Sequence, residues 1–141
     1  IVLFPDNKWI KAADKISKAG FKLIDEANVY DKKAFNFYSK KQFLEAIESW
    51  RKAIEIIPNE DSYYLNIAQA YYQLGEMDKA LNNLRKIEKL GIKENKGKFE
   101  FITASVLYQL KQFELACQYA IKSSKLGNTQ GVNLKEILSC F

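Results

Sequence analysis

Histidine is absent from the 141 residues, and methionine, proline and cysteine are rare, with one, two and two copies. Without histidine the chain cannot build a Ser-His or Cys-His nucleophile pair, an imidazole base or a histidine metal site. Two cysteines are too few for a cysteine zinc site. Gly91 and Gly97 flank IKENK without a preceding strand pattern or a following Lys-Ser/Thr pair, so they form no phosphate-binding loop. The sequence therefore predicts a protein that is not an enzyme and that binds no cofactor and no metal.

The two cysteines are expected to be reduced. Cys117 follows Ala116 on a predicted helix, which is typical of a small, buried, apolar side chain. One disulfide between Cys117 and Cys140 is arithmetically possible, but nothing in their spacing argues for it.

Long apolar runs are also missing. No stretch approaches the roughly 18 apolar residues of a membrane-spanning helix, so no membrane span is expected. Because the chain starts at Ile1 rather than at methionine, we expect a fragment, and residues 1–5 fit the remnant of a removed targeting segment. A cytoplasmic location is favoured, and an exported or periplasmic one applies if a targeting segment preceded Ile1. The oligomeric state stays open.

What the chain does contain is a repeat. A small residue, a large apolar residue three positions later and an alanine twelve positions after the first recur every 34 to 36 residues. The positions are Ala34, Phe37 and Ala46, then Ala68, Tyr71 and Ala80, then Ala104, Leu107 and Ala116. Two apolar helical patterns per period predict stacked helical hairpins, in which small residues let the helices approach closely.

The expected helix ends agree with this period. Pro58 should end the helix before it, and Gly91 and Gly127 lie where left-handed C-terminal caps would fall. Asp61 or Ser62 is the expected N-cap of the next helix.

The pattern resembles the tetratricopeptide repeat family over about the last four-fifths of the chain. The middle unit carries the family's marks at Tyr64, Ile67, Ala68, Tyr71, Gly75, Ala80 and Leu84. The first unit has Lys33 where a leucine is usual, and the third lacks the turn glycine and the final proline. The resemblance implies an all-α, right-handed superhelical solenoid of antiparallel helical hairpins, with repeats at 27–60, 61–94 and 97–130.

The two ends are expected to cap this array, because a solenoid must cover its terminal apolar faces. Residues 1–26 are interpreted as an N-terminal capping helix over Ala34 and Phe37, or alternatively as a degenerate half repeat. A second capping helix is expected at residues 131–141, with Val132, Leu134, Ile137, Leu138 and Phe141 as its covering side chains. The repeat period lengthens by two residues at residues 94–97, so we expect this connection to be the most loosely packed one, here called the loose joint.

In the family, the first helix of each hairpin lines a concave groove that contacts a bound peptide or helix. The resemblance therefore implies partner-binding residues at matching positions of three helices. In the first unit they are Asn28, Asp31, Lys32, Phe35, Tyr38 and Ser39. In the second they are Ser62, Leu65, Asn66, Gln69, Tyr72 and Gln73. In the third they are Lys98, Phe101, Ile102, Ser105, Tyr108 and Gln109.

Two groups stand out in this set. The first is an aromatic ladder that consists of Tyr38, Tyr72 and Tyr108. Aromatic rings offer a ligand a large contact area at low entropic cost, but in the family tyrosines at such positions also pack between helices. The second consists of apolar residues that are expected to be exposed in the groove and to need a cover: Phe35, Leu65, Phe101 and Ile102.

One sub-family clamps the C-terminal carboxylate of chaperones with lysine, asparagine and arginine side chains. The matching positions here are Asp31, Phe35, Asn66, Lys98 and Ile102, of which only Asn66 and Lys98 fit. An aspartate at position 31 would repel a carboxylate, so the groove is predicted to suit a partly apolar, uncharged segment instead.

The net charge of +5 is modest. Lysines near helix C-termini, such as Lys122 and Lys125, complement the helix dipole, and nucleic-acid binding is not expected because the chain lacks a long arginine-rich stripe. The predicted function is a protein-interaction module that acts as a scaffold or adaptor in a complex. A dedicated secretion-type chaperone for one client is the alternative.

Overall fold

The computed structural model describes residues 8–91 and 95–140. In these ranges the chain forms seven α-helices and no β-strand. They are α1 (Lys8–Ser39), α2 (Phe43–Ile56), α3 (Asp61–Gln73), α4 (Met77–Leu90), α5 (Lys98–Gln109), α6 (Phe113–Lys125) and α7 (Thr129–Ile137). The prediction of an all-α helical-repeat solenoid is confirmed.

The helices pack as successive hairpins. The pairs α1 with α2, α3 with α4, and α5 with α6 make the most extensive contacts, and α2 packs on α3 and α4 on α5. Ala46, Ala80 and Ala116 have no exposed surface, as close helix approach requires. Trp50, Leu84 and Phe99 are large side chains that are also buried.

Each hairpin turn uses a residue with positive φ, at 60° for Lys41, 78° for Gly75 and 62° for Lys111. The first turn shows the shared pattern, in which the Lys41 and Gln42 amides donate to the carbonyls of Tyr38 and Phe37. These bonds satisfy carbonyls at the end of the helix. The third unit lacks the turn glycine, but Lys111 adopts the same conformation in its place.

The expected helix ends are mostly correct. α2 ends at Ile56, two residues before Pro58, and α4 ends at Leu90, directly before Gly91. Gly91 and Gly127 both have a φ of 87°, but the ψ of Gly91 is 120°, so the prediction of a left-handed cap is wrong at Gly91. The N-cap of α3 is Glu60, whose side chain accepts from the Ser62 amide at 3.5 Å, so the prediction of Asp61 or Ser62 is wrong by one position or two.

The N-terminal segment differs from the expectation of a separate capping helix. Residues 8–26 continue α1 without a break into residues 27–39, because neither a proline nor a cap interrupts the helix. A continuous helix cannot fold back over its own Ala34 and Phe37. Residues 11–19 and 21–26 are exposed, and burial begins only at Ala27.

The C-terminal helix α7 packs on α6 and α5. Val132, Leu134 and Leu138 are half-buried, whereas Ile137 is 74% exposed and so does not cover the last hairpin. Phe141 lies outside the described residues. The cysteine prediction is wrong, because Cys117 on α6 is only half-buried and forms a disulfide with Cys140, which follows α7.

At the expected loose joint, Asn95 is half-buried and Lys96 is exposed, whereas Gly97 is tightly packed. Gly97 is buried, and its carbonyl accepts a hydrogen bond from the Ser123 hydroxyl at 2.8 Å. Glu94 lies outside the described residues. Within the described part of the chain, no helix has both the length and the apolar character needed to cross a bilayer.

Candidate functional site

A cleft of about 260 Å³ lies where four helices converge. α1, α3 and α5, the first helices of the three hairpins, contribute residues to it, and α7 closes one side. The lining residues are Tyr38, Gln69, Tyr72, Gln73, Phe101, Ile102, Ser105 and Gln130. We call this the central cleft.

The helical period explains which side chains reach the central cleft. Gln69, Tyr72 and Gln73 lie three and four positions apart on α3 and therefore share a face. Tyr71, one position from Tyr72, points to the helical core, is 7% exposed and accepts a hydrogen bond from Arg51 at 2.6 Å. Adjacent tyrosines on one helix thus lie on different faces, one in the core and one in the cleft.

Tyr38 is held in place by aromatic packing. Its ring lies 5.1 Å from the Phe43 ring and 6.1 Å from the Trp50 ring. Burial raises the pKa of the Tyr38 phenol, and a hydrogen bond with the Gln73 side chain partly offsets this shift. The phenol therefore stays protonated at neutral pH and can donate or accept a hydrogen bond at the cleft.

Among the residues that the structure describes, no ionisable carboxylate, amine or guanidinium lines the central cleft. Its polar groups are three primary amides, two phenols and the hydroxyl of Ser105, which donates to the Phe101 carbonyl at 2.9 Å. Such a surface can pair with backbone amides and carbonyls of a peptide and can pack against apolar side chains. It offers no counter-charge to an acidic or basic group.

A second cleft of about 290 Å³ lies at the N-terminal ends of α3 and α5. Its lining residues are Asp61, Ser62, Leu65, Asn66, Ile87, Asn95, Lys98 and Phe99. We call this the terminal cleft. Lys98 is exposed, and Asp61 brings the opposite charge to the same cleft.

Three of the predicted groove residues are more buried than expected. Leu65, Asn66 and Ile102 are 4%, 6% and 4% exposed, so the expectation that Leu65 and Ile102 are exposed is wrong. The packing of the helices in the stack covers most of their surface and leaves them as the floor of the clefts. Phe35 is 48% exposed, as expected, and Phe101 is half-buried.

Asp31 has a structural partner. Its carboxylate accepts a hydrogen bond from the buried Trp50 indole at 2.8 Å, which links α1 to α2. Phe35 packs edge-to-face on the same indole, with ring centroids 5.2 Å apart. Asp31 and Phe35 therefore lie beside each other over Trp50 and line neither cleft.

Other predicted residues lie outside both clefts. Tyr108 is 39% exposed and packs on Phe113, with 5.5 Å between the ring centroids. Of the three tyrosines in the predicted aromatic ladder, only Tyr38 and Tyr72 line the central cleft. Asn28, Lys32 and Gln109 are exposed and line neither cleft.

The structure adds residues that the repeat pattern did not indicate. Gln130 enters the central cleft from the first turn of α7, and Asp61 and Asn95 line the terminal cleft. Asn128 caps α7 by accepting a hydrogen bond from the Gly131 amide at 2.8 Å. Asn128 is a favourable N-cap residue, and this was the signal in the sequence that a helix begins at residue 129 and has Gln130 in its first turn.

Two family models match the chain. One, described as a TPR repeat, covers residues 36–75, and the other, described as a tetratricopeptide repeat, covers residues 61–90. Among curated relatives, the Hsp70-Hsp90 organising protein of Plasmodium falciparum (isolate 3D7) is 31% identical, over 74% of this chain and 20% of that protein. Small glutamine-rich tetratricopeptide repeat-containing protein 2 of Mycosarcoma maydis is 38% identical, over 42% of this chain and 17% of that protein. The chain thus spans a fifth or less of these relatives.

Solved structures with the same fold include the Arabidopsis OM64 TPR domain. It is 20% identical with a TM-score of 0.76, and the match covers 83% of this chain and 97% of that one. The first TPR of Spaghetti (RPAP3), bound to the HSP90 peptide SRMEEVD, is 20% identical with a TM-score of 0.74, over 82% of this chain and 91% of that one. At such identities the likeness shows the fold.

Proposed function

We propose that this chain, which belongs to the tetratricopeptide repeat family, is a protein-interaction module that binds an uncharged, partly apolar segment of a partner protein. The bound segment is an extended peptide or a helix in the groove formed by α1, α3, α5 and α7. In the cell this would make the chain a scaffold or adaptor within a complex. No catalytic role is proposed.

The observation that carries the proposal is the central cleft. Side chains from all three repeats and from α7 converge there, and none of them is charged. Tyr38, Tyr72 and Phe101 are half-buried, so each still has surface that a ligand can cover. Aromatic residues at the centre of an interface commonly supply much of its binding energy.

An acidic C-terminal tail is the second candidate, because the RPAP3 domain is bound to a peptide that ends in Glu-Glu-Val-Asp. Asn66 and Lys98 favour it, since both line the terminal cleft. Against it, Asp61 brings a negative charge to that cleft. In addition, the position where the carboxylate-clamping sub-family has an arginine is occupied by Ile102, which is buried and lines the central cleft. The charge balance of the two clefts supports the uncharged segment.

An array of capped, uncharged decapeptides, with SRMEEVD and its C-terminal amide alongside, separates the two candidates. We expect the binding peptides to be rich in apolar residues and poor in Asp and Glu. Tighter binding of SRMEEVD than of its amide and of all uncharged peptides would contradict the proposal and support a carboxylate clamp.

A matched pair of variants tests the location. Tyr72→Ala should weaken binding of the best uncharged peptide by about 30-fold, or about 2 kcal/mol, because it removes an aromatic wall of the central cleft. Tyr108→Ala is the control, since Tyr108 holds the equivalent repeat position but lines neither cleft. Fluorescence polarisation measures both dissociation constants, and circular dichroism checks the fold. Equal losses in the two variants would rule out the central cleft as the binding site.

A further inference from the structure

The first half of α1 projects beyond the repeats. Residues 11–26, here called the α1 overhang, extend for about 24 Å at 1.5 Å per residue. Every one of these residues except Gly20 is exposed, and the covered part of α1 begins at Ala27. The groove residues of α1 lie after this point, so the overhang is separate from both clefts.

The lysines of the overhang share one face. Lys11, Lys15, Lys18 and Lys22 follow one another at spacings of four, three and four residues, which places them within an arc of about 60° on an ideal helix. The acidic residue among them is Asp14, which pairs with Lys18 at 3.1 Å. Asp25 and Glu26 come only at the end of the overhang that joins the repeats. Residues 11–24 therefore carry four positive charges against one negative charge.

The opposite face carries bulky apolar side chains that no other described part of the chain covers. Ile16, Phe21, Leu23 and Ile24 are 72%, 64%, 48% and 46% exposed. On an ideal helix they spread over an arc of about 160°, centred opposite the lysines. Ala13, Ser17 and Gly20 occupy the remaining positions of this face.

The width of this arc separates two kinds of occupant. A single partner helix covers a narrow seam, as α2 covers Ala27 and Ala34 on the continuation of α1. Such a helix, including the overhang of a second copy, would leave either Phe21 or Leu23 in water. A flat apolar surface can receive the whole arc at once.

We propose that the α1 overhang binds the surface of an anionic phospholipid bilayer. The helix lies in the plane of the interface, with Ile16, Phe21, Leu23 and Ile24 in the acyl boundary. The lysines remain in the headgroup layer, where their flexible stems let the ammonium groups approach lipid phosphates. Basic and apolar faces on one exposed helix match this surface in both charge and shape. The proposal is independent of the groove, which lies on the repeats.

Cosedimentation of the full chain with sucrose-loaded vesicles tests the proposal. Vesicles contain either phosphatidylcholine alone or about 30% phosphatidylserine in phosphatidylcholine, in about 100 mM salt. We expect at least about fivefold more protein in the pellet with the anionic vesicles, and a decline as salt increases. Equal binding to both kinds of vesicle, or none to either, overturns the proposal.

Paired variants assign the binding to the two faces. The double variant Lys15→Gln with Lys22→Gln should remove most of the preference for anionic over neutral vesicles. The control, Lys89→Gln with Lys125→Gln, removes the same number of positive charges outside the overhang and should keep that preference. The double variant Ile16→Ser with Leu23→Ser should likewise abolish vesicle binding. Its control is Leu44→Ser with Ile137→Ser, which should leave vesicle binding unchanged; the Leu44 and Ile137 side chains are 66% and 74% exposed and lie outside the overhang.

Self-association is the competing outcome, and sedimentation velocity detects it. The chain could form a dimer and fail to bind vesicles. If the double variant Ile16→Ser with Leu23→Ser then dissociated that dimer, the result would show that a second copy covers this face. Peptide binding in the groove, measured without lipid, is unaffected by either result.

Discussion

Ser123 joins three segments of the chain at one buried point. It has no exposed surface, and its hydroxyl donates to the carbonyl of Gly97 at the start of α5. Gly131 of α7 lies directly against its side chain. A Cβ atom at either glycine would meet Ser123, so the absence of a side chain at these two positions lets α5, α6 and α7 meet.

Gly97→Ala tests this contact. At Gly97 an added Cβ would lie 2.7 Å from the Ser123 carbonyl oxygen, on a residue whose φ is 76°. We expect a loss of about 2–4 kcal/mol in unfolding free energy, from a left-handed backbone together with a backbone clash. Gly75→Ala is the control, because its φ is 78° but an added Cβ meets nothing. It should lose only about 1–2 kcal/mol. Urea denaturation measures both, and equal losses would show that the clash at Gly97 relaxes without cost.

At the scale of one element, α7 has two roles. It covers α6 and α5, and it brings Gln130 into the central cleft. Its first turn is held by the Asn128 cap and by Gly131 against Ser123, while the chain beyond its last turn is held by the disulfide from Cys140 to Cys117. The attachments are at opposite ends, so the end that lines the cleft does not depend on the disulfide.

Reduction of the disulfide should therefore affect stability more than binding. Opening a link between residues 23 apart is expected to lower the unfolding free energy by about 3 kcal/mol. Peptide affinity should change less than about twofold, because Gln130 is positioned at the other end of α7. Thermal unfolding and peptide titration, each with and without reductant, measure the two effects. The double variant Cys117→Ser with Cys140→Ser should behave like the reduced protein and ignore reductant. An unchanged melting temperature on reduction of the unsubstituted chain would contradict the stabilising role.

At the scale of the whole molecule, the two proposed binding surfaces differ in charge. The α1 overhang is basic on one face, whereas the central cleft has no charged group. Salt screens interactions between exposed charges and leaves apolar packing and neutral hydrogen bonds almost unchanged. The two proposed interactions should therefore differ in their response to salt.

Raising sodium chloride from about 50 mM to about 500 mM should change the dissociation constant of an uncharged peptide by less than about threefold. Isothermal titration calorimetry across that range measures the effect, and SRMEEVD serves as the charged comparison. A tenfold or larger loss of affinity for the uncharged peptide would mean that charged residues such as Lys98 contact it, and that the terminal cleft takes part in binding.

The repeat pattern was sufficient to predict the stacked hairpins, the burial of Ala46, Ala80 and Ala116, and the helix ends at Pro58, Gly91 and Gly127. These features depend on local rules, namely the helical period, the size of a side chain and the backbone preferences of proline and glycine. Tyr71 and Tyr72 lie on different faces of α3, and this too follows from the helical period alone. Such information is contained within one or two turns of the chain.

Only the tertiary structure decided how deep each groove position lies and which distant residues meet. Leu65 and Ile102 are buried because the helices of successive hairpins pack together. Gln130 reaches the central cleft because α7 packs there, and Cys117 meets Cys140 because α7 returns along α6. These distances depend on the angles at which hairpins stack, which result from many side-chain contacts together and leave no periodic signal in the sequence.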